Sequence, residues 1–179
     1  MAQFAPETWH SPRVDLQRLL LQPEGKILIE FSLDLSHLDF FGEKPIEKPV
    51  HVSASVTNHA GALHLEGQVS SLLTQCCDRC LVPFTREKVV VLNHLLATSL
   101  EDEEHEEIIL LDGTTLPLDE VATTAFILEM DTKTLCDDHC LGLCATCGAN
   151  LNENPCGCSK NSDSPFAALA SLLEEKSSS

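Results

Sequence analysis

The chain has 179 residues, 43% of them apolar, and its 28 acidic against 11 basic side chains give a formal net charge of −17. That length suits one domain, or one domain with a small appendage, and supplies enough apolar residues for a core. The acidic excess works against binding naked nucleic acid, where Lys and Arg must displace phosphate counterions, and against an anionic membrane surface.

Val14, Leu16, Leu19, Leu20 and Leu21 predict a short helix that Pro23 ends. From Lys26 to Leu35, Ile27, Ile29, Phe31, Leu33 and Leu35 alternate with their neighbours and predict a strand. Residues 36–48 hold Gly42, Pro45 and mixed charge, and read as a loop. Val50–Thr57 alternates Val50, Val52, Ala54 and Val56 against polar residues, and Leu63–Leu73 follows with Leu63, Leu65, Gly67 and Val69 on one face. Asn58-His59-Ala60-Gly61 between them is a hairpin signature. His51 and His64 fall on these strands and read as exposed polar positions.

Lys88–Leu96, dense in Val and Leu, predicts a further strand. Glu101–Glu107, with six acids in seven residues, reads as a solvated loop, and Ile108–Leu111 as a short edge strand. Leu118, Val121, Ala122, Ala125 and Leu128 sit at helical spacing over 118–130, with Pro117 suited to the start and Asp119 and Glu120 to the positive end of the dipole. Residues 159–163 read as a linker. Ser164-Pro165 opens a short tail helix with Phe166, Leu169, Leu172 and Leu173 on its apolar side.

Nine cysteines stand out: Cys76, Cys77, Cys80, Cys136, Cys140, Cys144, Cys147, Cys156 and Cys158. Met1–Trp9 lacks a basic region followed by an apolar stretch, and no 18-residue apolar run is present, so neither a secretory signal nor a membrane helix is expected. A cytoplasmic location follows, where thiols stay reduced, and metal binding becomes the leading use of the cysteines. Cys77–Cys80 and Cys144–Cys147 are both C-x2-C knuckles, in which one tight turn aims two sulfurs at a single ion. Cys136-x3-Cys140 and Cys156-Gly157-Cys158 supply two more halves. Zinc takes four such ligands in a tetrahedron, so four halves make two sites and Cys76 is spare. Gly148 and Gly157 would relieve steric demands where backbone wraps metal.

The local pairing joins Cys144, Cys147, Cys156 and Cys158, leaving Cys77 and Cys80 with Cys136 and Cys140; the swapped pairing joins the two knuckles. Thiol-redox chemistry needs one pair rather than four, and an iron–sulfur cluster would use the same thiolates. His139 reads as a surface residue within the x3 spacer. Sites with four thiolates are closed and therefore structural, because catalytic zinc keeps a position open for water. No acid–base pair, nucleophile elbow, phosphate loop or dinucleotide fingerprint is recognisable, so no catalytic residue, small-molecule substrate or other cofactor is expected.

Cys77-Asp78-Arg79-Cys80-Leu81-Val82-Pro83-Phe84 resembles the C-x-R-C-L-x-P-F segment of the YceD family, the large ribosomal RNA subunit accumulation proteins of bacteria and plastids. Cys140-Leu141-Gly142-Leu143-Cys144, Cys147-Gly148-Ala149-Asn150-Leu151-Asn152 and Cys156-Gly157-Cys158 follow the family's longer form. Ser164-Pro165-Phe166-Ala167-Ala168-Leu169 resembles its N-P-F-A-x-L ending, with Ser in place of Asn, and the likeness covers roughly residues 70–175. The resemblance implies a cytoplasmic, non-enzymatic protein needed for accumulation, processing or assembly of the large ribosomal subunit. Some members lack the Cys144/Cys147/Cys156/Cys158 quartet, which implies that the second site is a stabilising addition.

The expected architecture is α+β: an antiparallel sheet packed with the 118–130 helix, then a cysteine-rich zinc segment and a C-terminal helix. The expected division is 1–130 with the first knuckle, 131–158, and 159–179. The acidic balance favours basic ribosomal proteins or assembly intermediates as partners. Direct RNA contact is the alternative, because zinc knuckles read single strands. Arg79, Arg86 and Lys88 are the local basic cluster it would use.

Overall fold

The computed structural model describes residues 7–9, 12–98 and 108–158. The acidic run at 101–107, the linker at 159–163 and the tail helix from Ser164 lie outside the described residues. In chain order the elements are β1 (Glu7–Trp9), β2 (Arg13–Asp15), α1 (Gln17–Leu20), β3 (Lys26–Leu33), β4 (Val50–His59), β5 (Ala62–Cys76), β6 (Pro83–Ala97), β7 (Ile108–Leu110), β8 (Thr115–Pro117) and α2 (Leu118–Leu128). Contacts group these residues into two units: all ten elements with their connections up to Thr134 form the first, and residues 77–82 with those from Leu135 on form the second.

The first unit is a six-stranded mixed sheet in the order β1-β3-β4-β5-β6-β7, beside a two-stranded β2–β8 pair. β3 to β6 form an antiparallel run, while β1 and β7 add parallel edges. The period-2 pattern sets the faces: Val50, Val52, Ala54 and Val56 of β4 and Leu63, Leu65, Val69 and Leu73 of β5 are all buried in one core. β4 extends through His59, so the connection to β5 is the two residues Ala60 and Gly61, with φ of 53° and 100°. Two left-handed central residues make the turn that matches strand twist. Asn58 is buried beside it, its Nδ2 donating to the Leu19 and Gln22 carbonyls at 2.7 and 3.2 Å while Oδ1 accepts from the Gly61 amide at 2.8 Å. Gly67 is required by close approach, because a Cβ there would lie 2.6 Å from the Ser53 carbonyl oxygen and 2.7 Å from the Ala54 Cα.

Three boundaries and one helix face differ from the periodicity. Val14 is not helical; it pairs with Leu116 across β2–β8, both fully buried, and only Gln17–Leu20 forms a helix. β3 stops at Leu33, whose partner Val50 is the first residue of β4, so no partner remains for Leu35 to extend the ladder. β6 begins at Pro83 rather than Lys88, because β5 supplies paired backbone down to Cys76. Pro is tolerated at a strand's first residue. In α2 the buried positions are Leu118, Ala122 and Phe126, whereas Leu128 is 78% exposed. The i, i+4, i+8 stripe therefore ends on Phe126, which shares the core cluster with the sheet residues.

Ion pairs stand at both ends of this helix. Arg13 of β2 donates to Glu120 at 2.6 Å and lies 3.9 Å from Asp119, on the helix's first turn. Beyond its end, Asp131 pairs with Arg86 and, at 3.5 Å, with Lys88 on β6. Among the described residues no helix is long and apolar enough to cross a membrane.

Candidate metal centre

The loop between β5 and β6 is residues 77–82, and its backbone closes on itself. The Leu81 amide donates to the Cys77 carbonyl at 2.8 Å, and the Cys77 amide to that of Val82 at 3.1 Å, with Leu81 at a φ of 59°. This tight turn places Cys77 and Cys80 side by side. Cys136 and Cys140 come from the segment 135–140, where Asp137 organises a second turn. Its Oδ1 accepts from the His139 amide at 2.8 Å, and its carbonyl accepts from the Cys140 amide at 3.0 Å. The two turns are joined by Arg79, whose Nη1 donates to the Cys140 carbonyl at 2.9 Å and whose own carbonyl accepts from the Leu143 amide at 3.0 Å. Gly142 makes this approach possible: at a φ of 76°, a Cβ would lie 3.0 Å from the Arg79 oxygen.

Four sulfurs meet here. Cys77 and Cys140 Sγ are 3.8 Å apart, and Cys80 and Cys136 Sγ are 3.7 Å apart. Disulfide sulfurs would stand about 2.05 Å apart. A tetrahedron with metal–sulfur bonds of about 2.3 Å has edges of about 3.8 Å, so the spacing is that of a four-thiolate metal site. Cys77, Cys80 and Cys140 are buried, while Cys136 is exposed.

The second cluster gathers Cys144, Cys147, Cys156 and Cys158, and in each cluster the four ligand atoms lie within 4.8 Å of one another. The sequence thus follows the local pairing, not the swapped one. The Cys144 knuckle is set by its amide donating to the Ala149 carbonyl and by the Gly148 amide donating back to the Cys144 carbonyl, both at 2.8 Å. The Thr146 amide points at Cys144 Sγ, 3.4 Å away. Gly148 has a φ of 73°, which gives it the role expected of it. Gly157 does not: a Cβ there would meet nothing within 4 Å. This cluster is the more open one, with Cys147 and Cys158 exposed and Cys144 and Cys156 half-buried. Cys76 is exposed and stands outside both clusters, and His139 stands outside them too.

The thiols of each cluster are driven apart in acidity. Burial pushes Cys77 up, but the amides of Cys136, Cys80 and Arg79 outweigh it and bring the thiol down to about 6. Although the residue is exposed, water lost around its sulfur, reinforced by the neighbouring sulfurs, pushes Cys136 up to about 12. At Cys80 the Val82 amide pulls down, yet burial and the neighbouring thiols leave it raised. In the second cluster the Cys147 and Thr146 amides bring Cys144 down to about 6. Cys144 holds Cys156 up, and Cys147, together with water lost around the sulfur, pushes Cys158 up to about 12. Four thiolates at this range would repel one another, and a divalent metal held by the four sulfurs would supply the compensating charge.

The asparagines of the 148–155 stretch carry a role that cysteine spacing does not reveal. Asn152 Nδ2 lies 3.3 Å from Cys140 Sγ, its Oδ1 accepts from the Leu141 amide at 2.7 Å, and Asn150 Oδ1 accepts from both Asn152 nitrogens at 3.1 and 2.9 Å.

The family model described as large ribosomal RNA subunit accumulation protein YceD matches residues 65–173, more than half of the chain. The chain is 28% identical over 165 residues to large ribosomal RNA subunit accumulation protein YCED homolog 1, chloroplastic, of Arabidopsis thaliana, covering 73% of this chain and 50% of the relative. It is 29% identical over 153 residues to the protein of the same name in Zea mays, covering 68% and 52%. An uncharacterized protein of Mycobacterium leprae is 28% identical over 130 residues, covering 70% and 59%. The chain thus spans about half the length of the plant relatives it matches. No solved structure matches.

Proposed function

The chain belongs to the YceD family, and from that premise we propose that it is a non-enzymatic factor in the accumulation of large-subunit ribosomal RNA. It acts during processing or assembly of the large subunit, in the cytoplasm, and holds two structural zinc ions. The family match carries the ribosomal RNA part of this reading, and the pair of sulfur-only tetrads carries the structural-metal part. Four thiolates complete the tetrahedron of zinc and leave no position for a substrate or an activated water. Cys77, Cys80, Cys136 and Cys140 would hold one ion, and Cys144, Cys147, Cys156 and Cys158 the other. Zinc there supplies cross-linking of short, loop-rich segments that bury little apolar surface.

The formal charge of −17 supports basic ribosomal proteins as the contact, rather than bare RNA. The state of the basic residues supports it further. Arg86 and Lys88 are both paired with Asp131, and Arg79 is committed to the Cys140 carbonyl. A phosphate backbone would have to compete with Asp131 for Arg86 and Lys88.

The test is co-sedimentation with large-subunit precursor particles, combined with pull-down of ribosomal proteins with and without residues 164–176. The reading expects co-sedimentation and a loss of large-subunit ribosomal RNA when the gene is deleted. Absence from all such particles, with ribosomal RNA levels unchanged on deletion, would overturn it. Binding to RNA alone that strengthens as salt falls, and is lost in Arg79→Ala/Arg86→Ala, would transfer the contact to RNA.

A further inference from the structure

Asn152 belongs to the chain segment of the second tetrad, between Cys147 and Cys156, yet its side chain reaches a sulfur of the first. Nδ2 lies 3.3 Å from Cys140 Sγ. The orientation of the amide is fixed by chemistry: the Leu141 backbone N–H, 2.7 Å away, can only donate, so the atom facing it is Oδ1 and the nitrogen faces the sulfur. An N–H aimed at a thiolate stabilises the charged, metal-binding form.

The position of this amide depends on the fold of residues 148–155. The Leu151 amide donates to the Gly142 carbonyl at 2.9 Å, the Glu153 and Asn154 amides both donate to the Asn150 carbonyl at 3.2 Å, and Asn150 Oδ1 holds both Asn152 nitrogens. The two ends of this stretch are ligand pairs of the second tetrad. A metal ion bound there closes the stretch into a short loop and removes most of its conformational freedom.

We infer that Asn152 couples the two tetrads, so that metal in the exposed second site tightens metal in the buried first site, and the reverse. The inference rests on the reading of both tetrads as metal sites and adds that they do not load independently. An ion in the second site orders the loop, the ordered loop presents the Asn152 amide to Cys140, and the first site gains a donor to one of its four thiolates. Thermodynamic linkage makes the coupling reciprocal. The exposed tetrad thus acts as the sensing end of the pair: when a competing chelator strips it, the buried site weakens as well.

The experiment uses the full chain, stripped of metal and titrated with Co²⁺ against a competing chelator; the sulfur-to-cobalt charge-transfer bands report each tetrahedral site. Three variants complete a cycle: Cys147→Ser/Cys158→Ser, which disables the second tetrad, Asn152→Ala, and the combination. Disabling the second tetrad is expected to weaken Co²⁺ binding at the first by about ten- to a hundredfold. Asn152→Ala is expected to do the same with the second tetrad intact, and the combination to lose no more than either alone. Asn152→Asp, of equal size but presenting an anionic acceptor to the thiolate, is expected to be weaker than Asn152→Ala. Losses that multiply in the combined variant, or first-site binding unmoved when the second tetrad is disabled, would overturn the coupling while leaving two metal sites. Fewer than two Co²⁺ bound through sulfur by the unsubstituted chain would overturn the metal reading itself.

Discussion

The Arg79 guanidinium donates from Nη1 to the backbone carbonyl of Cys140 at 2.9 Å. The residue inside the first knuckle therefore holds the far end of the Cys136–Cys140 pair, which enters the chain sixty residues later. One of its N–H donors is used in shaping this turn.

Replacing Arg79 by Ala is accordingly expected to act on the metal site. The Cys140 carbonyl loses a charged donor, a contact of about 1.5–3 kcal/mol. Metal affinity of the first tetrad is expected to fall by about tenfold or more, read by competition with a chromophoric chelator. Unchanged affinity in Arg79→Ala would mean that the guanidinium does not support the site. Lys is a poor replacement, because its single ammonium does not reproduce the planar fork.

The helix α2 offers a test of the core that separates neighbouring apolar residues. Phe126 is fully buried and Leu128 is 78% exposed. Phe126→Ala is expected to destabilise the first unit by about 3–5 kcal/mol, and Leu128→Ala to change it by about 0.5 kcal/mol or less. Urea unfolding of both variants, followed by far-ultraviolet circular dichroism, checks the pair. Equal losses would contradict the observed face of the helix.

The acidities of the thiols predict proton release on metal loading. Cys80 and Cys136 in one tetrad, and Cys156 and Cys158 in the other, are raised above the ordinary thiol value of 9.0. At pH 7 these four are protonated, and metal binds only the thiolate, so each ion must displace at least two protons. Affinity therefore falls as pH falls through the neutral range, because protons compete with metal for the same sulfurs. Indicator measurements in weak buffer at pH 7 are expected to show four or more protons released per fully loaded chain. Release of none would contradict the assignment of these thiols as ligands.

Much of the molecule was legible in the sequence, and the places where it was not share a cause. Alternation placed β4 and β5 because each strand has one buried face, and the hairpin between them was visible in Asn58–Gly61. Val14 was misread as helical because its strand exists only by virtue of Leu116, about a hundred residues away. The polar first half of β6 carries no apolar signal of its own; the backbone of β5 makes it a strand, and Asp131 compensates Arg86 and Lys88 on it. The cysteine pairs were legible because ligand spacing is a local property. Asn152 was not, since its contact to Cys140 depends on how the loop between two ligand pairs folds. The order β1-β3-β4-β5-β6-β7, with parallel edges, likewise depends on tertiary pairing.

Elemental analysis of the purified full chain, made without added metal, tests whether eight cysteines form two zinc sites. Two zinc ions per chain are expected, falling toward one when Cys147 and Cys158 are replaced by Ser. Iron in place of zinc, or a chain that carries no metal and reacts with alkylating agents at all nine thiols, would contradict that expectation.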